Sequence, residues 1–243
     1  MKHFVFFHGI GIRSFFWESI RPLLNRENIH YSLIDLDFTT METGFNSALN
    51  SVENITKNHP DRDIILVGHS LGGLFAGYVA YKLGERIDKL IIVASGLYPE
   101  KKKKKSNFIK KRFKKMMMKL MFGGYMPYWV TQPMFFTNHT PKEAQHQLWT
   151  KTIRENPKFL KEFLNYRNSW QKFYDNPHFS GPDNVLCIIN DKDKIIPNHA
   201  SLYLKDHLNA SYKIYEGAGH NDVVTSKKFN QKFVNDIISF SLI

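Results

Sequence analysis

A serine between two glycines, directly after an apolar run, constrains this sequence more than any other feature. Residues 64–67 are Ile-Ile-Leu-Val, and they lead into Gly-His-Ser-Leu-Gly at 68–72 and an amphipathic run at 74–83. Glycine has no Cβ atom, so a strand and a helix can pass close together at such a turn. The pattern predicts a strand, a sharp turn and a helix, with Ser70 at the apex as a candidate nucleophile. The start of the helix places the Leu71 amide where it can face a developing negative charge.

Size and composition restrict the class of protein. A chain of 243 residues can form one large domain, or one domain with an insertion. The single cysteine, Cys187, stands in an apolar run, which predicts a buried thiol in a reducing compartment. The apolar run at 4–7 is too short for a signal peptide, and no run approaches the ~18 apolar residues of a membrane span. We therefore expect a soluble, cytoplasmic protein.

Apolar runs alternate with helical patterns in two parts of the chain. The predicted strands are 3–7, 29–35, 63–67, 89–94, 185–190 and 212–216. The predicted helices are 16–26, 43–58, 74–83, 106–122, one capped by Thr140, 157–174, 198–208 and 226–240. Continuous apolar strands separated by helices are typical of a parallel sheet covered on both faces. We expect an α/β fold with a mostly parallel six-stranded sheet flanked by helices, formed by 1–97 plus 183–243. Residues 98–182 are then an inserted helical cap, called the inserted segment below.

Three candidate catalytic groups follow three different predicted strands, in the order Ser70, Asp193 and His220. The carboxyl ends of parallel strands meet at one edge of a sheet, so these residues can converge. A serine hydroxyl needs a base that takes its proton, and a carboxylate holds the histidine in the right tautomer. Asp191 and Glu100 are alternative acids, and we favour Asp193 because it leads directly into Ile-Ile-Pro.

These motifs resemble those of the α/β-hydrolase superfamily. The similar motifs are the nucleophile elbow at 68–72, the acid loop Asp-x-Ile-Ile-Pro at 193–197, the histidine loop Gly-Ala-Gly-His at 217–220 and the oxyanion loop His-Gly at 8–9. The resemblance covers about 1–97 and 183–241. Its N-terminal layout is similar to the methylesterase and hydroxynitrile lyase branch. It implies that the amides of Ile10 and Leu71 form the oxyanion hole.

The expected chemistry is ester hydrolysis through an acyl-enzyme. A serine at the apex argues against dehalogenase and epoxide-hydrolase chemistry, for which the resemblance implies attack by a carboxylate. Aromatic residues in the inserted segment predict an apolar pocket and an apolar acyl group. The candidate pocket residues are His8, His69, Met117, Phe122, Trp129, Phe135 and Trp149. For the two histidines we prefer hydrogen bonding to the loops around the elbow.

Other functions remain open at this point. A lactonase or lyase could use the same three residues, and a non-catalytic binding module could retain them. No His, Cys and Asp residues have metal-ligand spacing and no glycine-rich phosphate loop occurs, so we expect no metal and no cofactor.

The positive charge is concentrated in one segment. The net charge is +12, and residues 101–142 hold twelve Lys and Arg and no Asp or Glu, so the rest of the chain is neutral. The candidate partner surface is Lys101, Lys102, Lys103, Lys110, Lys111, Arg112, Lys114 and Lys115. A solvated helix face is the simplest interpretation. The alternatives are an anionic membrane surface, with the protein peripheral to it, or an acidic carrier protein bearing an acyl ester or thioester. The local concentration of charge disfavours nucleic acid.

Overall fold

The computed structural model describes residues 1–98, 116, 120–123, 127–166, 171–175 and 179–243. The strands are β1 (Lys2–Phe7), β2 (His30–Ile34), β3 (Asp63–His69), β4 (Ile87–Val93), β5 (Val185–Asn190) and β6 (Ser211–Tyr215). The helices are α1 (Arg21–Arg26), α2 (Met41–Asn58), α3 (Leu71–Leu83), α4 (Tyr128–Phe135), α5 (Lys142–Thr150), α6 (Pro157–Tyr166), α7 (Asn198–His207), α8 (Asp222–Thr225) and α9 (Asn230–Ser241). Short 3₁₀ helices occur at Ser14–Ser19, Gly84–Arg86 and Gln171–Phe173.

All six strands form one sheet in the order β2-β1-β3-β4-β5-β6, and every neighbouring pair is parallel. The predicted α/β fold is confirmed. The chain passes from β1 to β2 on one side and then crosses to β3 on the other side, so the strand order reverses between β1 and β3. Ligands of such sheets bind beyond the carboxyl ends of the strands at this reversal. The loops after β1 and β3 are therefore where a site is expected.

The core lies on both faces of the sheet. In β1, Phe6 packs on one face against Trp17, with ring centroids 5.0 Å apart, while Phe7 belongs to the cluster around Phe75 on the other face. Successive side chains of a strand point to opposite faces, so burying both faces requires an apolar residue at every position. This explains the continuous apolar runs in the sequence.

Two predicted helices differ from the structure, one in its continuity and one in where it begins. The helix predicted over 16–26 is a 3₁₀ helix followed by α1, with Pro22 in the first turn of α1, where its missing N–H costs least. The helix predicted over 226–240 begins later, as α9 at Asn230, and the short α8 lies before the predicted range. Ser226 is extended between them, and its hydroxyl donates to the carbonyl of His139 at 2.7 Å.

Thr140 is not a helix cap, so that prediction is wrong. Helix α5 begins at Lys142, and Pro141 before it makes no side-chain cap. The Thr140 hydroxyl donates instead to Asp222 at 2.6 Å. Asp222 is fully buried, and a buried carboxylate requires donors more strongly than an exposed helix end does.

The described part of the inserted segment contains helices α4, α5 and α6 and no strand. Glu162 of α6 accepts a hydrogen bond from the Met41 amide at the start of α2, at 2.8 Å. Within the described ranges, no helix has both the length and the apolar character needed to cross a bilayer. Met117 and all eight residues of the candidate partner surface lie outside the described residues.

Candidate active site

Ser70 lies in a strained turn between β3 and α3. Its backbone has φ 55° and ψ −120°, a region that non-glycine residues rarely adopt and that costs about 1–3 kcal/mol. Its amide donates to the carbonyl of Val93 at 2.8 Å, which ties the turn to the end of β4. The side chain of Ser70 faces the two cavities described below.

The glycines on either side of Ser70 are required by close contacts. A Cβ atom at Gly68 would lie 2.4 Å from the carbonyl oxygen of Gly72, across the turn. A Cβ atom at Gly72 would lie 2.3 Å from the carbonyl oxygen of Phe7, at the end of β1. Both distances are too short for a real Cβ contact. The two glycines therefore allow α3 to start directly against the carboxyl end of β1.

A buried acid–base pair lies beside this turn. Nδ1 of His220 and Oδ2 of Asp193 are 2.7 Å apart, and both side chains are almost fully buried. The other carboxylate oxygen of Asp193 accepts the amides of Ile195 and Ile196, each at 2.8 Å. The carboxylate is thus held from two sides, and a proton on Nδ1 leaves Nε2 of His220 as the free base.

The alternative acids do not reach this histidine. The carboxylate of Asp191 accepts the Gly217 amide, at the opposite end of the histidine loop from His220. Glu100 lies outside the described residues. The structure therefore brings Asp193, and not Asp191, against His220.

The backbone of His220 is fixed by two buried side chains. Its carbonyl accepts Nε2–H of His69 at 2.9 Å and the Asn190 amide group at 3.2 Å. Burial holds the pKa of His69 well below its usual value, so this ring is neutral. His69 thus acts as the predicted hydrogen-bonding support of the loops, and it also borders one cavity.

His8 supports the oxyanion loop from beneath. The amide of Leu36 donates to its Nε2 at 3.0 Å, and because a backbone N–H can only donate, the ring proton is on Nδ1. Nδ1–H then donates to the carbonyl of Gly9 at 2.7 Å. A trans peptide is planar, so fixing the Gly9 carbonyl directs the Ile10 N–H to the opposite side. Burial lowers the pKa of His8 to about 4.

Two cavities, each of about 220 Å³, meet at Ser70. Ser70, Ile10, Met121 and Phe122 border both. The first, called the His220 cavity, also has His220, Asn221, Phe135, Leu148, Trp149 and Thr152 in its wall. The second, called the Leu71 cavity, has Leu71, Leu74, Leu97, Met134, Phe163 and Tyr174. Both cavities are walled partly by the sheet edge and partly by the inserted segment.

Two of the predicted pocket residues are placed elsewhere. His8 is completely buried beneath the loop and borders neither cavity. Trp129 is 76% exposed, so its assignment to the pocket is also wrong. It precedes Phe135 by six residues on α4, which is about 240° around the helix, so one faces solvent when the other faces the cavity. Phe122, Phe135, Trp149 and His69 do border the His220 cavity.

Sequence reasoning missed two buried carboxylates beside the site. Asp222 accepts the Gly219 amide at 2.8 Å and the Thr137 amide at 3.0 Å, which joins the histidine loop to the inserted segment. Glu155, in the inserted segment, accepts the Gly11 amide at 2.7 Å. Neither carboxylate belongs to a motif, and only the nearness of Asp222 to His220 in the sequence offered a signal.

Other reactive groups do not add to the site. Cys187 is buried in β5, and burial raises the pKa of its thiol to about 12. Among the described residues, no group of three or more His, Cys, Asp or Glu side chains is arranged to hold a metal ion.

Comparison with known proteins agrees with this geometry. The sequence pattern of the alpha/beta hydrolase family matches residues 4–229. The chain belongs to this family. The resemblance inferred from the sequence motifs is thereby confirmed. Solved structures with the same fold include a putative lipase from Acinetobacter baumannii (TM-score 0.74, 19% identity, 99% of this chain and 85% of that one) and polyneuridine aldehyde esterase (TM-score 0.65, 16% identity, 98% and 99%).

Several relatives of this α/β hydrolase are named as esterases. Methylesterase 8 of Arabidopsis thaliana is 24% identical over 230 residues, which are 90% of this chain and 83% of that protein. A pimeloyl-(acyl-carrier protein) methyl ester esterase of Pectobacterium carotovorum is 37% identical over 92 residues, 37% of this chain and 36% of that protein. Norfluorocurarine synthase 1 of Strychnos nux-vomica is 30% identical over 106 residues, 39% and 38% of the two chains. The matches thus span just over a third of the last two relatives.

The buried neutral His8 makes the stability of this protein depend on pH. Below the usual histidine pKa of 6.5, His8 becomes protonated in the unfolded chain. In the folded protein its pKa is about 4, so it stays neutral down to about that pH. The free energy of unfolding therefore decreases as the pH is lowered through this range. His8 accounts for about 1–2 kcal/mol of this decrease between pH 7 and pH 5. His8→Asn keeps a donor toward Gly9 and removes the titration. In urea unfolding, we expect the free energy of unfolding of His8→Asn to decrease between pH 7 and pH 5 by less than that of the wild type. The difference should equal the His8 contribution.

The control is His146→Asn, at an exposed position of α5. It should leave the pH dependence of the wild type unchanged. Equal pH dependence in His8→Asn and the wild type would contradict the assigned neutral state of His8.

Proposed function

We propose that this protein is a serine hydrolase that cleaves carboxylic esters of apolar acyl groups through an acyl-enzyme. The observation that carries the proposal is the buried 2.7 Å pair of His220 and Asp193, with Ser70 and His220 in the wall of the same cavity. Family membership and the esterase relatives support it. Ser70 is then the nucleophile, His220 the general base and Asp193 the group that orients and stabilises the imidazole.

In the first step, Nε2 of His220 takes the Ser70 hydroxyl proton while Oγ attacks the ester carbonyl carbon. The carbonyl oxygen becomes an oxyanion, which the amides of Ile10 and Leu71 stabilise. Each such donor contributes about 3 kcal/mol to the transition state. Ser70 is held rigidly for this attack by its strained turn and its hydrogen bond to Val93.

In the second step, His220 gives its proton to the leaving alkoxide, and the acyl group stays on Ser70. Water then attacks the acyl-enzyme with His220 again as base, which releases the carboxylic acid and restores the serine. The Asp193 carboxylate stabilises the imidazolium in both steps.

The two cavities suggest where each half of the ester binds. The leaving oxygen must reach His220, which borders the His220 cavity and not the Leu71 cavity. We therefore assign the alcohol to the His220 cavity and the acyl group to the Leu71 cavity. The leucines, Met134 and Phe163 in the Leu71 cavity suit an apolar acyl chain.

A fluorophosphonate probe tests the nucleophile, because it labels only an activated serine. We expect labelling of the wild type, none of Ser70→Ala, and labelling of Asp193→Asn slowed by about 10⁴-fold, since the wrong histidine tautomer is then favoured. Gel fluorescence with time gives the rate. Asp191→Asn is the matched control and should label within about threefold of the wild type.

Equal labelling of Ser70→Ala and the wild type would refute this proposal. An unlabelled wild type that still binds esters in equilibrium dialysis would instead favour the non-catalytic alternative.

Tryptophan introduced into either cavity tests the substrate assignment. Met134→Trp should lower kcat/KM for p-nitrophenyl octanoate relative to acetate by about 10-fold or more, because it fills the Leu71 cavity. Thr152→Trp should leave that ratio unchanged, because it fills the other cavity, the His220 cavity. It should instead lower kcat/KM for benzyl octanoate relative to methyl octanoate. The opposite pattern would reverse the assignment of the two cavities.

A carrier-bound acyl substrate is the second candidate. One relative is named for an ester on an acyl carrier protein, and the basic run of residues 101–115 would complement an acidic carrier. This interpretation rests on the sequence, since those residues lie outside the described part of the chain.

Charge reversal tests the carrier candidate. Changing Lys101, Lys102 and Lys103 together to Glu should raise KM for an acyl ester on a carrier protein at least 10-fold at low salt and leave kcat/KM for p-nitrophenyl esters unchanged. An equal effect on both substrates would argue against a carrier. Loss of binding to anionic vesicles, without any effect on the carrier substrate, would favour the membrane-surface alternative.

A further inference from the structure

Glu155 is a buried carboxylate that touches the oxyanion loop from the inserted segment. Only 1% of its side chain is exposed. Oε1 accepts the Gly11 amide at 2.7 Å and Arg13 Nη1 at 3.0 Å, while Oε2 receives Arg13 Nη2 at 3.4 Å. Arg13 in turn lies over the ring of Phe38, 5.3 Å from its centre. The carboxylate is thus paired with a cation and directed at one backbone amide.

Neighbouring backbone contacts hold the same point of the loop. The Ile153 amide donates to the carbonyl of Gly11 at 2.9 Å, and the Glu155 amide donates to the carbonyl of Phe122 at 3.0 Å. Residues 153–155 therefore grip both polar groups of Gly11. Ile153, and Phe122 whose carbonyl accepts the Glu155 amide, also border the His220 cavity.

The contact decides the orientation of a peptide that would otherwise be free to turn. Gly11 has φ +78°, and glycine tolerates either orientation of the peptide that joins it to Ile10. In the observed orientation the Gly11 N–H faces Glu155. In the reverse orientation the Ile10 carbonyl would face the carboxylate, and the two oxygens would repel. A carboxylate accepts hydrogen bonds and donates none, so it selects one orientation.

Ile10 is therefore held between two oriented peptides. His8 fixes the peptide before it, through the Gly9 carbonyl, and Glu155 fixes the peptide after it. Loss of either anchor would let the Ile10 amide move relative to Ser70, and small displacements of a catalytic donor reduce the rate strongly.

We propose that Glu155 is a positioning residue that keeps the Ile10 amide in place for the oxyanion, so that the inserted segment assembles part of the catalytic geometry. The proposal rests on the proposed serine hydrolase function. Glu155 touches neither the substrate nor the reacting atoms. It acts through the backbone of the loop.

The test compares two glutamates of the inserted segment that both accept a core backbone amide. Glu155→Gln keeps the shape, but its amide group can donate to a reversed Ile10 carbonyl, so the peptide is no longer held in one orientation. Glu162→Gln makes the same chemical change where the partner is the Met41 amide, away from the loop. We expect Glu155→Gln to lower kcat for a p-nitrophenyl ester at least about 10-fold with KM changed less than about threefold, and Glu162→Gln to change neither more than about twofold.

Two further measurements separate positioning from a general loss of structure. A trifluoromethyl ketone forms an oxyanion on the serine, and its affinity should fall in Glu155→Gln by the same factor as kcat. Hydrogen exchange of amides 9–13 in the free protein should rise in Glu155→Gln and not in Glu162→Gln. If Glu155→Gln does not fold, Arg13→Lys tests the same support, because it keeps the positive charge and loses one of the two hydrogen bonds to Glu155. A several-fold loss of kcat is then expected.

The outcomes are distinguishable. Unchanged kcat, ketone affinity and exchange in Glu155→Gln, or in Arg13→Lys where that variant is needed, would overturn the positioning role. A wild type that neither hydrolyses esters nor labels at Ser70 would overturn the proposed function, and the exchange comparison would still decide whether Glu155 orders the loop.

Discussion

The close approach of α3 to the end of β1 is the contact on which the rest of the site depends. Gly72 lies so near the Phe7 carbonyl that no Cβ atom would fit, and this packing forces Ser70 into its unusual backbone conformation. The same contact brings the loop after β1 against the loop after β3, where the strand order of the sheet reverses. Ser70 and the Ile10 backbone thus become neighbours because of how two parallel strands are joined, before any side chain of the site is considered.

The sequence predicts those features that a local pattern encodes. Six strands, their parallel arrangement and the elbow follow from apolar runs and glycine spacing, and the choice of Asp193 over Asp191 agrees with the contact to His220. The features that the sequence did not reveal depend on distant partners. Thr140 does not cap a helix because its hydroxyl donates to the buried Asp222, 82 residues away in the sequence. Trp129 does not line the pocket because packing decides which side of α4 faces inward. No single segment contains the information for either contact.

Two buried carboxylates connect the inserted segment to the two loops that the proposed chemistry needs. Asp222 ties Thr137 and Thr140 to the histidine loop, and Glu155 ties residues 153–155 to the oxyanion loop. Burying an ionised group is costly unless donors surround it, so each carboxylate stabilises only one arrangement of its neighbours. The inserted segment is therefore fixed at the two points where movement would most disturb a reaction at Ser70.

This arrangement separates the residues of the proposed chemistry from most of the residues that form the cavity walls. The proposed nucleophile, base and acid come from residues before 98 and after 182, whereas the inserted segment supplies much of both cavity walls through residues such as Met134 and Trp149. A wall residue can change without altering the proposed proton transfer between Ser70 and His220. Glu155 and Asp222 are different, because Glu155 joins the inserted segment to the oxyanion loop and Asp222 joins it to the histidine loop. Under the proposed function, variation in substrate size is thus compatible with constant chemistry as long as these two anchors are kept.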